Sequence, residues 1–209
     1  MAGIKQLWTV FLKGWVLALA FSLALGAAGA LAGQPTEDIK KLMEEVLSIL
    51  HNPGLKTPAQ KQQRLEKIEK LAASRFDYRE MAKLSLDPTW DTLTKAQQDE
   101  FVHLFTELLK ASYASRIDEI ANARVEYQPE KLDGDKAEVH AVILRPNDKI
   151  PVDFLLHQTP KGWMIYDLVI EKVSLARNFQ QQFGCAIQGA SYNYLVRCLR
   201  DKLQEEKGN

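Results

Sequence analysis

Apolar side chains recur at every third or fourth position in the first part of the chain, beginning near residue 39. This spacing is typical of amphipathic helices that bury one face. The clearest run contains Ile39, Leu42, Met43, Val46, Leu47 and Leu50. A second run contains Leu65, Ile68 and Leu71, and Asp77 is placed to cap a short third helix. The segment therefore predicts three helices in succession.

A long helix is predicted from Thr94, because Thr94 and Gln97 have the spacing of a capping box. Large apolar groups lie along one side of this helix, namely Phe101, Leu104, Phe105, Leu108 and Ile117. Side chains of this size most simply fill a core.

The apolar pattern changes to strict alternation after Ala123, which is typical of strands. Four strands are expected, at about 125–127, 137–143, 150–156 and 163–170. Asp133-Gly134 and two further short turns join them, which implies an antiparallel sheet.

Two more helices are expected at the end of the chain. Ser174 is a plausible cap for the first, and Gly189 separates it from the second. The order of elements predicts an α+β domain over residues 33–209, in which helices pack on an antiparallel sheet of about four strands.

The last strand is apolar on both faces if its side chains alternate strictly. Asp167 is the polar exception in a strand that contains Trp163, Met164, Ile165, Tyr166, Leu168, Val169 and Ile170. A sheet face open to solvent would be polar at alternate positions. We therefore expect helix or a bound molecule to cover the second face. Ala137 and Ala141 leave room on a neighbouring strand, which favours an apolar ligand.

Residues 1–32 have the features of a secretory signal peptide. Lys5 and Lys13 are the charged residues of this segment, an apolar stretch follows them, and small residues end it at Ala30-Leu31-Ala32. Cleavage is expected after Ala32. An uncleaved anchor is the alternative, because the uncharged run is long enough to span a bilayer.

Removing the signal peptide changes the charge balance. The whole chain has 27 basic and 27 acidic residues, and the mature part would carry a net charge of −2 because residues 1–32 hold two lysines. This balance does not favour binding to nucleic acid or to an anionic membrane surface. An exported chain without a cysteine framework indicates a bacterial periplasm.

The two cysteines are expected to be free thiols. On one continuous helix, Cys185 and Cys198 would lie about 20 Å apart, beyond the reach of a disulfide. A turn at Gly189 would place Cys185 opposite Tyr192 rather than Cys198. Both thiols are therefore expected to be unpaired and mostly buried.

No catalytic motif is evident in the sequence. His51, His103, His140 and His157 have no pair at the spacing of helical metal ligands, so no metal site is predicted. Asp167 could act as a desolvated general base, but an ion pair with Arg177 or hydrogen bonds from the backbone explain it better. Arg177 could neutralise a phosphate, or form an exposed ion pair.

Four segments in order resemble the MlaC family, also called toluene-tolerance auxiliary proteins. The longest runs from Trp163 through Tyr166-Asp167 and Ser174 to Arg177-Asn178. The others are Phe76-Asp77-Tyr78 with Met81-Ala82, Trp90 to Phe101, and Tyr113-Ala114 with Arg116. The resemblance covers residues 35–202.

This resemblance implies a periplasmic phospholipid carrier of Gram-negative bacteria, a monomer without catalytic activity and with no cofactor other than its lipid cargo. Such proteins hold acyl chains in a deep apolar pocket between a curved antiparallel sheet and helices. They shuttle lipid between the outer-membrane lipoprotein MlaA and an inner-membrane ABC transporter that carries an MCE-domain ring, and so maintain the lipid asymmetry of the outer membrane.

Apolar patterning, rather than a family motif, selects the candidate lipid-binding residues. They are Met81, Trp90, Phe105, Leu108, Val142, Phe154, Ile165, Val169, Leu175 and Phe179. Candidates near the head group are Tyr113, Arg116 and Arg177. For each lining candidate, ordinary core packing is at least an equal explanation.

Two other functions stay open from the residues alone. One is an enzyme or small-ligand binder on a cone-shaped α+β fold, with Asp167 as general base. The other is a membrane-anchored assembly factor, which requires residues 1–32 to be retained.

Overall fold

The computed structural model describes residues 33–55, 57–114 and 117–208. The predicted signal peptide and Arg116 lie outside these residues. Within the described ranges, no helix is both long and apolar enough to cross a membrane.

The predicted helices are all present in the described chain. Their bounds are α1 Gln34–His51, α2 Lys61–Ala73, α3 Tyr78–Leu86, α4 Lys95–Ala114, α5 Leu175–Gly189 and α6 Tyr192–Gly208. Short 3-10 segments lie at Pro53–Leu55, Pro58–Gln60, Thr89–Thr92 and Ile117–Ile120. Ile117 therefore follows α4 in a separate turn, rather than extending its apolar side as the sequence predicted.

Side-chain caps begin three of these helices, as the sequence predicted. Asp77 accepts a hydrogen bond from the backbone N–H of Glu80 at 3.0 Å, and Ser174 accepts one from Arg177 at 3.1 Å. At α4, the Gln97 amide oxygen accepts from the Thr94 N–H at 2.9 Å, and the Thr94 hydroxyl accepts from the Gln97 N–H at 3.3 Å. Each cap satisfies a backbone donor that has no partner within its helix.

Within the described residues the sheet has six strands, all antiparallel to their neighbours, which confirms the α+β fold. They are β1 Arg124–Tyr127, β2 Lys131–Asp133, β3 Lys136–Leu144, β4 Lys149–Thr159, β5 Gly162–Ile170 and β6 Val173–Ser174. Their order is β1-β3-β4-β5-β6, and β2 pairs with β3.

The short strands β2 and β6 are the two that the sequence did not predict. β1 and β2 pair with different parts of the same edge of β3. Pro129 lies between them and has no N–H to donate to a ladder, which is consistent with an interrupted edge strand. The predicted hairpin at Asp133-Gly134 therefore joins β2 to β3, and Gly134 adopts a φ of 59° that favours glycine.

A β-bulge at Tyr166 changes which side chains of β5 face the core. Leu155 pairs with Asp167 whereas the next residue, Leu156, pairs with Ile165, so Tyr166 has no partner on β4. The prediction of strict alternation along this strand was wrong. Ile165 before the bulge and Leu168 after it both face the core side of the sheet.

The opposite face of the sheet is therefore mixed in polarity rather than apolar. Its β5 positions are Met164, Asp167 and Val169, which pair with His157, Leu155 and Asp153 of β4. Met164 and Asp167 are nevertheless buried on this face, and Asp167 contacts the first turn of α5. The second face of β5 is therefore covered in part, as expected, although it is not uniformly apolar.

Helix α1 covers the core side of the sheet at β3. Its apolar face packs with Ala137, Val139, Ala141 and Ile143, which alternate with half-exposed residues along that strand. Small side chains let a helix approach a sheet closely. Ala137 and Ala141 thus lie beside α1.

The cysteines are both free and both exposed. The prediction of free thiols is confirmed, and the prediction that they are buried was wrong. In α6 the buried stripe is formed by Leu195, Val196, Leu199 and Leu203, and Cys198 lies outside it.

Candidate functional site

Most predicted lining residues belong to a group of buried side chains that comes from α3 to α6 and the turn at Trp90. We call it the helix cluster. It contains Met81, Trp90, Phe105, Leu108 and Leu175 together with Phe101, Phe183, Leu195 and Leu199, and Phe179 packs against it.

Phenylalanine rings occupy the centre of the helix cluster. The ring centroid of Phe105 lies 5.3 Å from that of Phe179 and 6.2 Å from that of Phe183, both edge to face, and 5.9 Å from that of Phe101, to which it is stacked. Phe101 and Phe105 are fully buried, whereas Phe179 is half-buried. Phe179 is therefore the ring at the edge of the group.

A second group of buried side chains lies between α1 and the sheet, and we call it the sheet cluster. It contains the predicted residues Phe154 and Ile165, with Ile39, Leu42, Val46, Val139, Val152 and Leu156. α1 and strands β3, β4 and β5 supply nearly all of its members. It is thus built from parts of the chain that the helix cluster does not use.

The two clusters meet at Phe76 and Leu168, and we call this contact the seam. Both side chains are partly buried, and each packs against both clusters. The backbone N–H of Ile165 donates to the Arg75 oxygen and the Asp77 N–H donates to the Ile165 oxygen, both at 2.8 Å. These bonds fix the segment before α3 to the edge of β5, and so hold the two clusters side by side.

Sequence reasoning did not select the seam residues. A signal for Phe76 was available, because an apolar residue before the Asp77 cap and Met81 four positions after that cap have the spacing of a hydrophobic staple. Leu168 could not be found by alternation, because the bulge at Tyr166 reverses the parity of the strand.

Val142 and Val169 were predicted to line the same pocket, and the structure does not bring them to either cluster. Val142 alternates with Ala141 and Ile143 of the sheet cluster, and Val169 alternates with Leu168 and Ile170. Both valines therefore lie on the opposite face of the sheet.

Asp167 is buried and its carboxylate accepts three hydrogen bonds. Oδ1 accepts from the backbone N–H groups of Leu168 and Ala176, both at 2.9 Å, and Oδ2 accepts from the Ser174 hydroxyl at 2.5 Å. The carboxylate therefore joins β5 to the first turn of α5. Hydrogen bonds from the backbone, rather than an ion pair with Arg177, explain this buried charge.

The structure describes two of the three predicted head-group residues. Arg177 is exposed in the first turn of α5, and no ion pair involves its guanidinium among residues 33–55, 57–114 and 117–208. Tyr113 is 38% exposed near the end of α4. Arg116 is outside the described chain, so the three residues are not assembled into one site here.

A polar group links the start of α3 to the opposite face of the sheet. Asp77 Oδ2 lies 3.0 Å from His157 Nε2, and the His157 ring meets that of Tyr166 edge to face at 5.5 Å. Burial raises the pKa of Tyr166, and the nearby carboxylates of Asp167 and Glu138 raise it further. Tyr166 therefore keeps its proton at neutral pH, and the group serves to position α3.

Comparisons with known proteins agree with this fold. The family model for MlaC protein matches residues 40–201. A similar solved structure is a phospholipid-binding protein from Ralstonia solanacearum in complex with a phospholipid, with a TM-score of 0.70 and 22% sequence identity. The match covers 81% of this chain and 96% of that chain, so the two proteins share one fold along most of their lengths.

Proposed function

The chain belongs to the MlaC family, and on that basis we propose that it carries a phospholipid whose acyl chains lie between the sheet cluster and the helix cluster. The observation that carries this proposal is the pair of separate apolar clusters that meet at Phe76 and Leu168. The phospholipid in the Ralstonia solanacearum protein of the same fold supports it.

The seam is a suitable place for acyl chains because it joins two surfaces that are already apolar. Phe76 and Leu168 pack against both clusters, so chains inserted beside them would contact both apolar groups at once. Chains inserted there would replace contacts between the clusters by contacts with methylene groups. The deep apolar pocket predicted from the family would then form along this seam.

The head group would remain at the surface. Arg177 is exposed on α5, the helix that contributes Leu175 and Phe183 to the helix cluster. A guanidinium binds phosphate through charge-assisted hydrogen bonds. We place the phosphate near this side chain, with Tyr113 and Arg116 as further candidates.

Lipid release would require a partner. Two acyl chains contain about 30 methylene groups, and at ~0.8 kcal/mol each their exposure to water would cost more than about 20 kcal/mol. Spontaneous release into water is therefore negligible. We propose that the protein works in the periplasm after removal of residues 1–32, receives or delivers lipid at the MlaA complex and the MCE-domain transporter, and performs no catalytic step.

A transfer assay tests this proposal. The protein is loaded with a fluorescent phospholipid and mixed with acceptor vesicles that either contain or lack the reconstituted MCE-domain transporter complex. Because the chains stay buried until the protein docks, we expect transfer to be at least tenfold faster to vesicles that contain the complex. Equal rates to both vesicle types would contradict partner-dependent release.

A further inference from the structure

Three side chains that can bind a metal ion converge on the opposite face of the sheet, away from both clusters. His140 Nδ1 lies 2.8 Å from Asp153 Oδ1 and 3.7 Å from Glu138 Oε1. The donor atoms of the three residues all lie within 4.8 Å of one another. One imidazole nitrogen and two carboxylate groups thus lie close enough together to hold one ion.

Their backbone positions explain why they converge. Glu138 and His140 are two positions apart on β3, so they share one face, and Asp153 is the direct partner of His140 on β4. β3 pairs with β4 without interruption from Lys136 to Leu144, and each of these strands has a further neighbour on its other side. The ladder therefore holds the three side chains in register before any ligand arrives.

The spacing of the donor atoms suits a small divalent ion. Tetrahedral Zn²⁺ binds nitrogen and oxygen at about 2.0–2.2 Å, which places its ligands about 3.3 Å from one another. The distances from His140 Nδ1 to Asp153 Oδ1 and to Glu138 Oε1 lie on either side of that value, and the two carboxylates offer oxygens within 4.8 Å of each other. The side chains are partly open to solvent, with 19% of His140, 34% of Glu138 and 32% of Asp153 exposed. A water molecule can therefore complete the coordination.

The charges also favour a cation. Two carboxylates beside one imidazole give the group an excess of negative charge, although Lys131 Nζ approaches Glu138 Oε2 at 3.6 Å. A metal ion binds the unprotonated Nδ1, so it would take the place of the direct contact between His140 Nδ1 and Asp153 Oδ1.

We propose that Glu138, His140 and Asp153 form a binding site for one divalent transition-metal ion. Zn²⁺ is the best fit, because imidazole and carboxylate ligands together suit it and it accepts an open fourth position. The sequence did not indicate this site, because its three residues come together across two neighbouring strands and do not have the spacing of ligands on one helix. The site lies on the other face of the sheet from the proposed acyl chains, so it does not depend on lipid binding.

Calorimetric titration of the untagged protein with Zn²⁺ tests the proposal. We expect one ion per chain and an affinity at least about tenfold lower for His140→Gln and for Asp153→Asn, since each removes a ligand. Lys131→Gln should raise the affinity a few-fold, because it removes a competing positive charge. Circular dichroism confirms that each variant is folded.

Two control variants distinguish this site from other side chains that could bind Zn²⁺. His103→Gln removes an exposed imidazole on α4, and Cys185→Ser combined with Cys198→Ser removes both exposed thiols. We expect both controls to bind Zn²⁺ as the unmodified protein does. The proposal is overturned if the protein does not bind Zn²⁺, if His140→Gln and Asp153→Asn bind it normally, or if the cysteine double variant loses binding.

Discussion

Replacing Asp167 with alanine is expected to lower the free energy of unfolding by about 3–5 kcal/mol, since each buried donor left without a partner costs about 1–3 kcal/mol. The substitution would leave the N–H groups of Leu168 and Ala176 and the Ser174 hydroxyl without their acceptor. β5 and the first turn of α5 would lose the link between them. Urea denaturation of the purified protein measures the effect.

Asp167→Asn is the matched control for this prediction. The asparagine oxygen can still accept from Leu168 and Ala176, and its NH₂ group can donate to the Ser174 hydroxyl. We expect a smaller loss of about 1–2 kcal/mol, because a charge-assisted bond is replaced by neutral ones. A free energy of unfolding for Asp167→Ala within 1 kcal/mol of that of the unmodified protein would contradict the structural role of Asp167. Loss of an enzymatic activity in Asp167→Asn, with stability and lipid content unchanged, would favour a general base.

Replacing Leu168 with lysine is expected to reduce the phospholipid bound per chain at least tenfold. The substitution places an ammonium group at the seam, where its desolvation against acyl chains would cost several kcal/mol. Leu168 packs against both clusters, so a charged side chain at this position lies at the contact between them. Organic extraction and phosphorus analysis of protein purified without detergent give the amount of lipid.

Leu132→Lys is the control for the charge itself. Leu132 lies on β2 and is 42% exposed, so the same substitution there adds a lysine to a solvated strand. We expect its lipid content and its unfolding transition to remain unchanged. A folded Leu168→Lys protein with normal lipid content would show that acyl chains do not lie at the seam.

Local signals in the sequence predicted most of the secondary structure. Asp77, Thr94 and Ser174 begin their helices as their spacing indicated, because a cap depends on residues within four positions of it. The antiparallel pairing of β3, β4 and β5 also followed from short turns. Features of this kind require no knowledge of distant contacts.

The arrangement of the candidate site depends on contacts between distant parts of the chain, which local sequence patterns do not reveal. The bulge at Tyr166 places Leu168 on the core face and Val169, a predicted lining residue, on the opposite face. The alignment of Asp153 with His140 likewise depends on the register between two strands. Cys198 was predicted to be mostly buried, but it lies outside the buried stripe of α6.

The most direct test of lipid carriage is native mass spectrometry of residues 33–209, purified from bacterial periplasm without detergent and followed by identification of the extracted lipid. The proposal predicts one phospholipid per chain, retained through purification because its release into water is so costly. A chain whose measured mass equals that of the polypeptide alone, with no phospholipid in the extract, would contradict it.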